Sequence, residues 1–189
     1  GLLRNMFRKN KEQAEPPVRV SDEGAKLLEW GQFLEKLRHM DHYISRKEYM
    51  PEVLRFSGTM QFIKTLEKNY ILEDFCSKNG LETEQVRALC SAYENTAELV
   101  DQINDQYVNR KLIEEKEYLD QILMEVDPLI CLDEDQRKVV ISDEDYSLVI
   151  AGAGAGKTTT VAAKVRYLVE KQQIDPSRIL IISYTNKAV

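Results

Sequence analysis

Residues 151–159 read Ala-Gly-Ala-Gly-Ala-Gly-Lys-Thr-Thr, and no other run in the chain implies chemistry so directly. Alternating glycine and alanine make a loop almost free of side chains. Such a loop can turn successive backbone N–H groups toward an anion in conformations that glycine tolerates. Lys157 adds a cation able to reach the β and γ oxygens of a nucleoside triphosphate, and the Thr158 hydroxyl is placed to bind Mg2+. The strict P-loop pattern G-x-x-x-x-G-K-[ST] asks for glycine at 151, where this chain has Ala151; Gly156-Lys157-Thr158 is intact. Ala151, Gly152, Ala153, Gly154, Ala155, Gly156, Lys157, Thr158 and Thr159 form the expected nucleotide-binding set, with Lys157 and Thr158 in the catalytic roles. A dinucleotide turn fits less well, because it uses G-x-G-x-x-G and no lysine.

A phosphate loop works when a strand delivers it and a helix opens from it, so that the helix dipole lies under the phosphates. Residues 147–150 form a short apolar run that reads as a buried strand, residues 156–172 as a helix, and residues 179–183 as a second, β-branched strand. Strand, helix, strand predicts a βαβ unit and a parallel sheet. Residues 133–140 predict a short capped helix just upstream. In the helix after the loop, Val161, Ala162, Val165, Leu168 and Val169 predict the packing face.

Three stretches in order, Leu132-Asp-Glu-Asp-Gln-Arg-Lys-Val-Val140, Leu148-Val-Ile-Ala-Gly-Ala-Gly-Ala-Gly-Lys-Thr158 and Ile179-Leu-Ile-Ile-Ser-Tyr-Thr-Asn-Lys-Ala188, resemble the opening of the superfamily 1 helicases of the UvrD/Rep group. They match that family's Q motif, its Walker A motif A-G-A-G-x-G-K-T, and its motif Ia, F-T-N-K-A. Ala151 is the family's own form of the loop. The resemblance covers residues 132–189 and implies the start of a RecA-like ATP-binding domain, with ATP and Mg2+ as cofactors and single-stranded and duplex DNA as partners. By the same resemblance, the Gln136 amide pairs with the N7 and N6 amine of adenine. Tyr184, in the family's Phe position, stacks on a base of single-stranded DNA; Thr185 and Asn186 hydrogen-bond the strand, and Lys187 adds charge. Without the family, residues 184–187 read as a strand-ending turn, and a lone Gln136 as a solvated side chain.

The activity implied is coupling of ATP hydrolysis to movement on single-stranded DNA and to duplex unwinding. No Asp-Glu pair follows a strand in these residues, so the Walker B carboxylates and γ-phosphate arginines are expected further on, in a longer parent protein, with little turnover from the 189 residues alone. Two other readings stay open. The long acidic helical region ahead of the loop also resembles the helicase IV branch, whose RNA-polymerase-associated relatives suggest a factor that binds and remodels RNA polymerase through a helical arm. The other reading is an unrelated P-loop ATPase or kinase.

The elements that must position this loop come from a chain of 189 residues with 43% hydrophobic and 31% charged side chains, enough apolar content for a packed core. The expected fold class is α + α/β: an acidic helical N-terminal region followed by a truncated RecA-like P-loop domain. Residues 1–20 read as a basic leader, 21–130 as the helical, partly coiled-coil-like region, and 131–189 as the beginning of the ATP-binding domain. Residues 21–130 hold 13 basic and 22 acidic side chains, whereas residues 131–189 hold eight of each. A −9 surface repels phosphate backbones, so nucleic acid is expected to touch another segment.

Within the helical region, Ser21-Asp22-Glu23 offers an N-cap and acidic first turn, Ser45-x-x-Glu48 has the form of a capping box, and Asn79-Gly80 marks a helix stop. Residues 83–127 contain no glycine or proline, and Val86, Tyr93, Val100 and Tyr107 recur every seven residues. That spacing suits one or two long helices, packed as an arm or laid against the earlier helices. Trp30 reads as a core anchor. The longest apolar runs fall far short of the ~20 residues of a membrane span, there is no export signal, and the reducing cytoplasm is expected. Cys76, Cys90 and Cys131 read as reduced structural thiols, and His39 and His42 as a solvated pair.

Overall fold

The computed structural model describes residues 20–182. Its contacts divide the chain into two compact units, Gly1–Ile103 and Asn104–Val189. Every regular element among the described residues is helical.

The first unit is built from α1 (Asp22–Arg38), α2 (Arg46–Arg55), α3 (Ser57–Lys68), α4 (Leu72–Asn79), α5 (Thr83–Glu94) and the start of α6 (Thr96–Glu114). Helix α1 starts as its sequence dictates: the Ser21 hydroxyl accepts from Gly24 N at 3.2 Å. Asp22 and Glu23 occupy the first turn and Lys36 and Arg38 the last, which suits the helix dipole. Its apolar stripe, Leu27, Trp30, Leu34 and Leu37, is buried and packs against α3 and α5. Trp30 is 0% exposed, and its indole N–H donates to the Leu89 carbonyl of α5 at 3.0 Å. The rings of Phe33, Phe56 and Tyr93 surround it with centroids 5.3–5.6 Å away. Asn79 ties the ends of α1 and α4 together: its side-chain oxygen accepts from Ser21 N at 2.6 Å while its amide donates to Phe75 O at 2.8 Å. Gly80 closes α4 at φ 65°, in the left-handed region where glycine carries no Cβ penalty.

Two local expectations change. The Ser45 side chain makes no capping bond: Glu48 N donates to the Ser45 carbonyl at 3.0 Å, and the Glu48 carboxylate pairs with His42 at 2.7 Å. The long glycine-free stretch forms α5, α6 and α7 (Lys116–Gln121), with breaks at Asn95 and Glu115. At the first break, the Asn95 amide donates to Ser91 O and the Thr96 hydroxyl to Ala92 O and Tyr93 O, and side-chain bonds of this kind compete with the helix ladder. Val86, Leu89 and Val100 join the core of the first unit, so this part of the heptad pattern packs on the preceding helices.

The second unit contains the rest of α6, then α7, α8 (Glu134–Ile141), α9 (Lys157–Glu170) and a 3-10 turn, Pro176–Arg178. Helices α8 and α9 pack on each other. Helix α9 buries Thr160, Ala163 and Tyr167, whereas Val161 and Ala162 of the expected packing face are exposed. Polar contacts brace α7 to α9. The Tyr118 hydroxyl donates to Glu170 at 2.8 Å, Lys171 pairs with Glu115 at 2.7 Å and lies over the Tyr118 ring, and Arg166 bridges Glu170 and Glu125.

The α/β expectation, a RecA-like P-loop domain with a βαβ parallel sheet, is not met. Residues 147–150 and 179–182 adopt no strand, and no strand occurs among the described residues. A strand exists only when its N–H and C=O groups are shared with a neighbour, and a parallel pair is stable chiefly when helices or further strands cover both faces. Here Leu148 and Ile150 are 88% and 89% exposed and Leu180 is 83% exposed. The apolar runs that suggested strands are uncovered, and the two segments stay irregular.

Replacing Trp30 with Phe removes the donor to the Leu89 carbonyl and some buried volume, and is expected to destabilise the first unit by about 1–3 kcal/mol, read by urea unfolding followed by circular dichroism. In the second unit, burial, followed by Tyr107, Glu115 and Asp143, pushes the Tyr167 hydroxyl up from 10.0 to about 12. A pKa raised on folding means stability that is complete below the unfolded value and is lost as pH rises through the folded one. The second unit should therefore lose thermal stability between about pH 10 and 12, and the Tyr167→Phe variant should show a shallower loss in the same scan.

Candidate functional site

Helix α9 begins directly after the glycine-alanine loop, and the loop's conformation follows from its glycines. Gly154 and Gly156 have φ of 75° and 72°, in the left-handed region. Gly156 is the N-cap of α9 and offers no side-chain cap. The N–H groups of Lys157, Thr158 and Thr159 belong to the first turn, where an α-helix supplies no internal acceptor; Thr160 N is the first to bond back, to Gly156 O at 2.8 Å. A Cβ built on Gly152 or Gly154 would meet nothing within 4 Å, so the space beside the loop is open. Lys157 and Thr158 are exposed. The Lys157 ammonium donates to the Ala151 carbonyl at 3.1 Å, spanning the loop from end to start.

Gln136 is held against this loop from α8. Asp133 and Gln136 form a reciprocal capping box: Gln136 N donates to the Asp133 carboxylate at 2.8 Å, and Asp133 N donates to the Gln136 side-chain oxygen at 2.9 Å. The Gln136 amide nitrogen donates to Ala155 O at 3.3 Å. These two partners fix the orientation of the amide, since reversing it would set donor against donor and acceptor against acceptor. One N–H and one lone pair of the side chain remain uncommitted by these contacts, the pair that adenine requires. A Cβ on Gly156 would lie 2.5 Å from the Gln136 amide nitrogen.

Two basic residues that the sequence pattern did not single out hold α8 in place. The Arg137 guanidinium donates to Leu132 O at 2.9 Å and pairs with Asp120 of α7 at 2.7 Å. From α9, the half-buried Lys164 ammonium donates to Val140 O at 2.9 Å and to Ser142 O, at the C-terminal end of α8. Burial pulls its pKa below the usual lysine range, and Asp143 partly opposes that. A signal for Lys164 was present: it lies four residues after Thr160 and three before Tyr167, on the buried stripe of an α-helix.

The expected nucleotide-binding residues from Ala151 to Thr159 therefore fall in one loop and helix start, with Gln136 beside them. Tyr184, Thr185, Asn186 and Lys187 lie outside the described residues. Among the described residues no group of three or more His, Cys, Asp or Glu could hold a metal, and no helix is long and apolar enough to cross a membrane.

Residues 132–189 match the family model of the UvrD/REP helicase N-terminal domain. Over these residues the chain is similar to the UvrD-like superfamily 1 helicases. Over 66 residues, 34% of this chain and 9% of the relative, the sequence is 50% identical to a probable DNA helicase II homolog of Mycoplasma capricolum. It is 43% identical over 65 residues to the ATP-dependent DNA helicase UvrD1 of Mycobacterium leprae, 34% of this chain and 8% of that protein. It is 42% identical over 57 residues to the ATP-dependent DNA helicase srs2 of Schizosaccharomyces pombe, 30% of this chain and 6% of that protein. The chain spans less than a tenth of the length of these relatives. No solved structure matches it. The match starts at Leu132, one residue before the α8 capping box, and takes in α8, the glycine-alanine loop and α9 together.

The packing of Gly156 against Gln136 gives a test of this geometry. Gly156→Ala should destabilise the second unit through two effects, the left-handed φ, worth about 1–2 kcal/mol, and displacement of the Gln136 amide. In a Gln136→Ala background the second effect disappears, so the same substitution should cost less there. A thermal-denaturation double-mutant cycle showing simple additivity would contradict the contact.

Proposed function

We propose that residues 132–189 are the ATP-binding part of an ATP-dependent DNA helicase or translocase, with Lys157 and the first-turn N–H groups of α9 holding the phosphates and Gln136 selecting the adenine. The observation that carries this is Gly156-Lys157-Thr158 at the start of α9, with Gly154 and Gly156 both in the left-handed region and open space beside Gly152 and Gly154. That is a donor set suited to a polyphosphate. The names of the relatives, which are DNA helicases and in two of the three cases ATP-dependent ones, support the choice of ATP and DNA over other P-loop chemistries.

On binding, Lys157 exchanges the Ala151 carbonyl for phosphate oxygens, a charge-assisted contact that replaces a neutral acceptor with an anionic one. Thr158, whose side chain is exposed one residue later, presents a hydroxyl for Mg2+. A Mg2+ ion retains several waters and commonly takes one or two protein ligands plus phosphate oxygens, so a single hydroxyl is a sufficient contribution from this loop. The bound Mg-ATP supplies a phosphoryl group whose transfer to water drives the parent protein. This chain's residues bind and orient that group. Tyr184, Thr185, Asn186 and Lys187 are proposed to contact single-stranded DNA, the tyrosine by stacking.

The test is titration of ATP with Mg2+ into the chain by calorimetry. Wild type is expected to bind, and Lys157→Ala to weaken binding at least 10-fold, the scale of one charge-assisted phosphate contact of about 1.5–3 kcal/mol. Equal affinity in the two proteins would remove the phosphate loop from the site.

A further inference from the structure

Helix α8 has eight residues, and the side chain proposed to select the base sits in its first turn. A helix this short has little stability of its own, so its placement beside the loop depends on what holds its ends. At the N-terminal end, Gln136 itself donates to Ala155 O at 3.3 Å, a long bond. At the other end the Lys164 ammonium grips two carbonyls, Val140 O at 2.9 Å and Ser142 O. These are C-terminal groups of α8 that lack helix partners, where a cation is also favoured by the helix dipole. Lys164 lies on α9, seven residues after Lys157 and thus two turns along the same helix. One rigid element therefore carries the phosphate-binding lysine at its start and the fastener of the base-selecting helix near its middle.

We propose that Lys164 is a positioning residue that sets the register of α8 against α9 and so makes adenine selection by Gln136 possible, without itself touching the nucleotide. This rests on the nucleotide-binding reading above and adds to it a residue outside the loop. Bidentate amide pairing tolerates only small displacements, since hydrogen bonds weaken steeply as distance and angle depart from ideal. Phosphate contacts, made by N–H groups and a lysine that all belong to α9 and its loop, do not depend on where α8 sits. Loosening α8 should therefore remove base discrimination and leave phosphate affinity in place. A residue that served only general stability would weaken both or neither.

The experiment compares binding of ATP, GTP and inorganic tripolyphosphate, each with Mg2+, to the full 189-residue chain and to Lys164→Met, which keeps the aliphatic stem and removes the donors. Wild type should prefer ATP to GTP by about 10-fold. Lys164→Met should cut that preference at least about fivefold, toward the value for Gln136→Ala, with tripolyphosphate affinity within about twofold of wild type. Amide exchange should quicken over residues 134–142 and stay unchanged over the first unit. If the methionine variant does not fold, Lys164→Gln, with one shorter donor group, should move the preference in the same direction. An unchanged ATP-to-GTP ratio in a folded variant, or equal losses for ATP and tripolyphosphate, would overturn the role of Lys164 while leaving the nucleotide reading intact. A wild-type chain that binds tripolyphosphate but shows no adenine preference would overturn base selection by Gln136 and Lys164 together, and one that binds neither would overturn the nucleotide reading itself.

Discussion

The second unit turns on one backbone position. Gly156 must hold φ at 72° to end the loop and begin α9, and it must do so without a Cβ, because the Gln136 amide occupies the place where one would go. Both demands have the same answer in glycine. The absence of a side chain lets the loop turn sharply into the helix, and lets a neighbouring helix put a polar group against the loop's last carbonyl. Movement of Gly156 would disturb the first-turn N–H groups, the Lys157 stem and the Gln136 contact at once. The left-handed glycines and the first turn of α9 are what allow a loop of small residues to present an ordered set of donors.

The first unit is organised on a different principle. Its core is aromatic and aliphatic, centred on Trp30, and its polar links, Asn79 to Ser21 and Trp30 to Leu89, satisfy buried groups. Many of its ion pairs, such as Lys78 with Asp74 or Arg87 with Glu84, join exposed side chains on one helix and add little stability each. The negative charge concentrated in residues 21–130 is thus carried on surfaces, with neither buried acid clusters nor a metal group among the described residues. An acidic helical surface of this type disfavours phosphate backbones.

Local chemistry was legible in the residues and long-range pairing was not. The Ser21 cap, the Gly80 stop, the capped helix at Asp133 and the helix opening at Lys157 each depend on groups a few residues apart, so the sequence pattern contains both partners. The capping box at Ser45 failed for reasons the pattern cannot hold: Glu48 N donates to the Ser45 carbonyl, and the Glu48 carboxylate pairs with His42 of the preceding loop. The strands expected at 147–150 and 179–183, the last residue of which lies outside the described residues, failed more completely, because apolar, β-branched composition reports a preference for a covered, paired surface and says nothing about whether a partner is there. The burial stripe of α9 was misjudged by about one residue. Counting apolar side chains favoured Val161 and Val165, whereas the helix buries Thr160, Ala163 and Tyr167, a stripe containing hydroxyls that back-bond or face polar neighbours.

The same bias hid the fasteners of α8. Only Val140 and Ile141 of that helix are buried apolar residues, and two side chains near one end cannot fix its rotation, since apolar contact is non-directional. Directional bonds do so. Gln136 meets the loop, Arg137 meets Leu132 O and Asp120, and Lys164 meets the last carbonyls, which constrains the helix at its start, its flank and its end. Holding a lysine half-buried for this purpose costs desolvation, visible in its lowered pKa, and a methionine there would pack more cheaply. A helix retained only for stability has no need of such an arrangement. The proposed role of Gln136, an amide held at a defined distance from the glycine-alanine loop, does need it, because orientation is what the three polar contacts provide and apolar packing cannot.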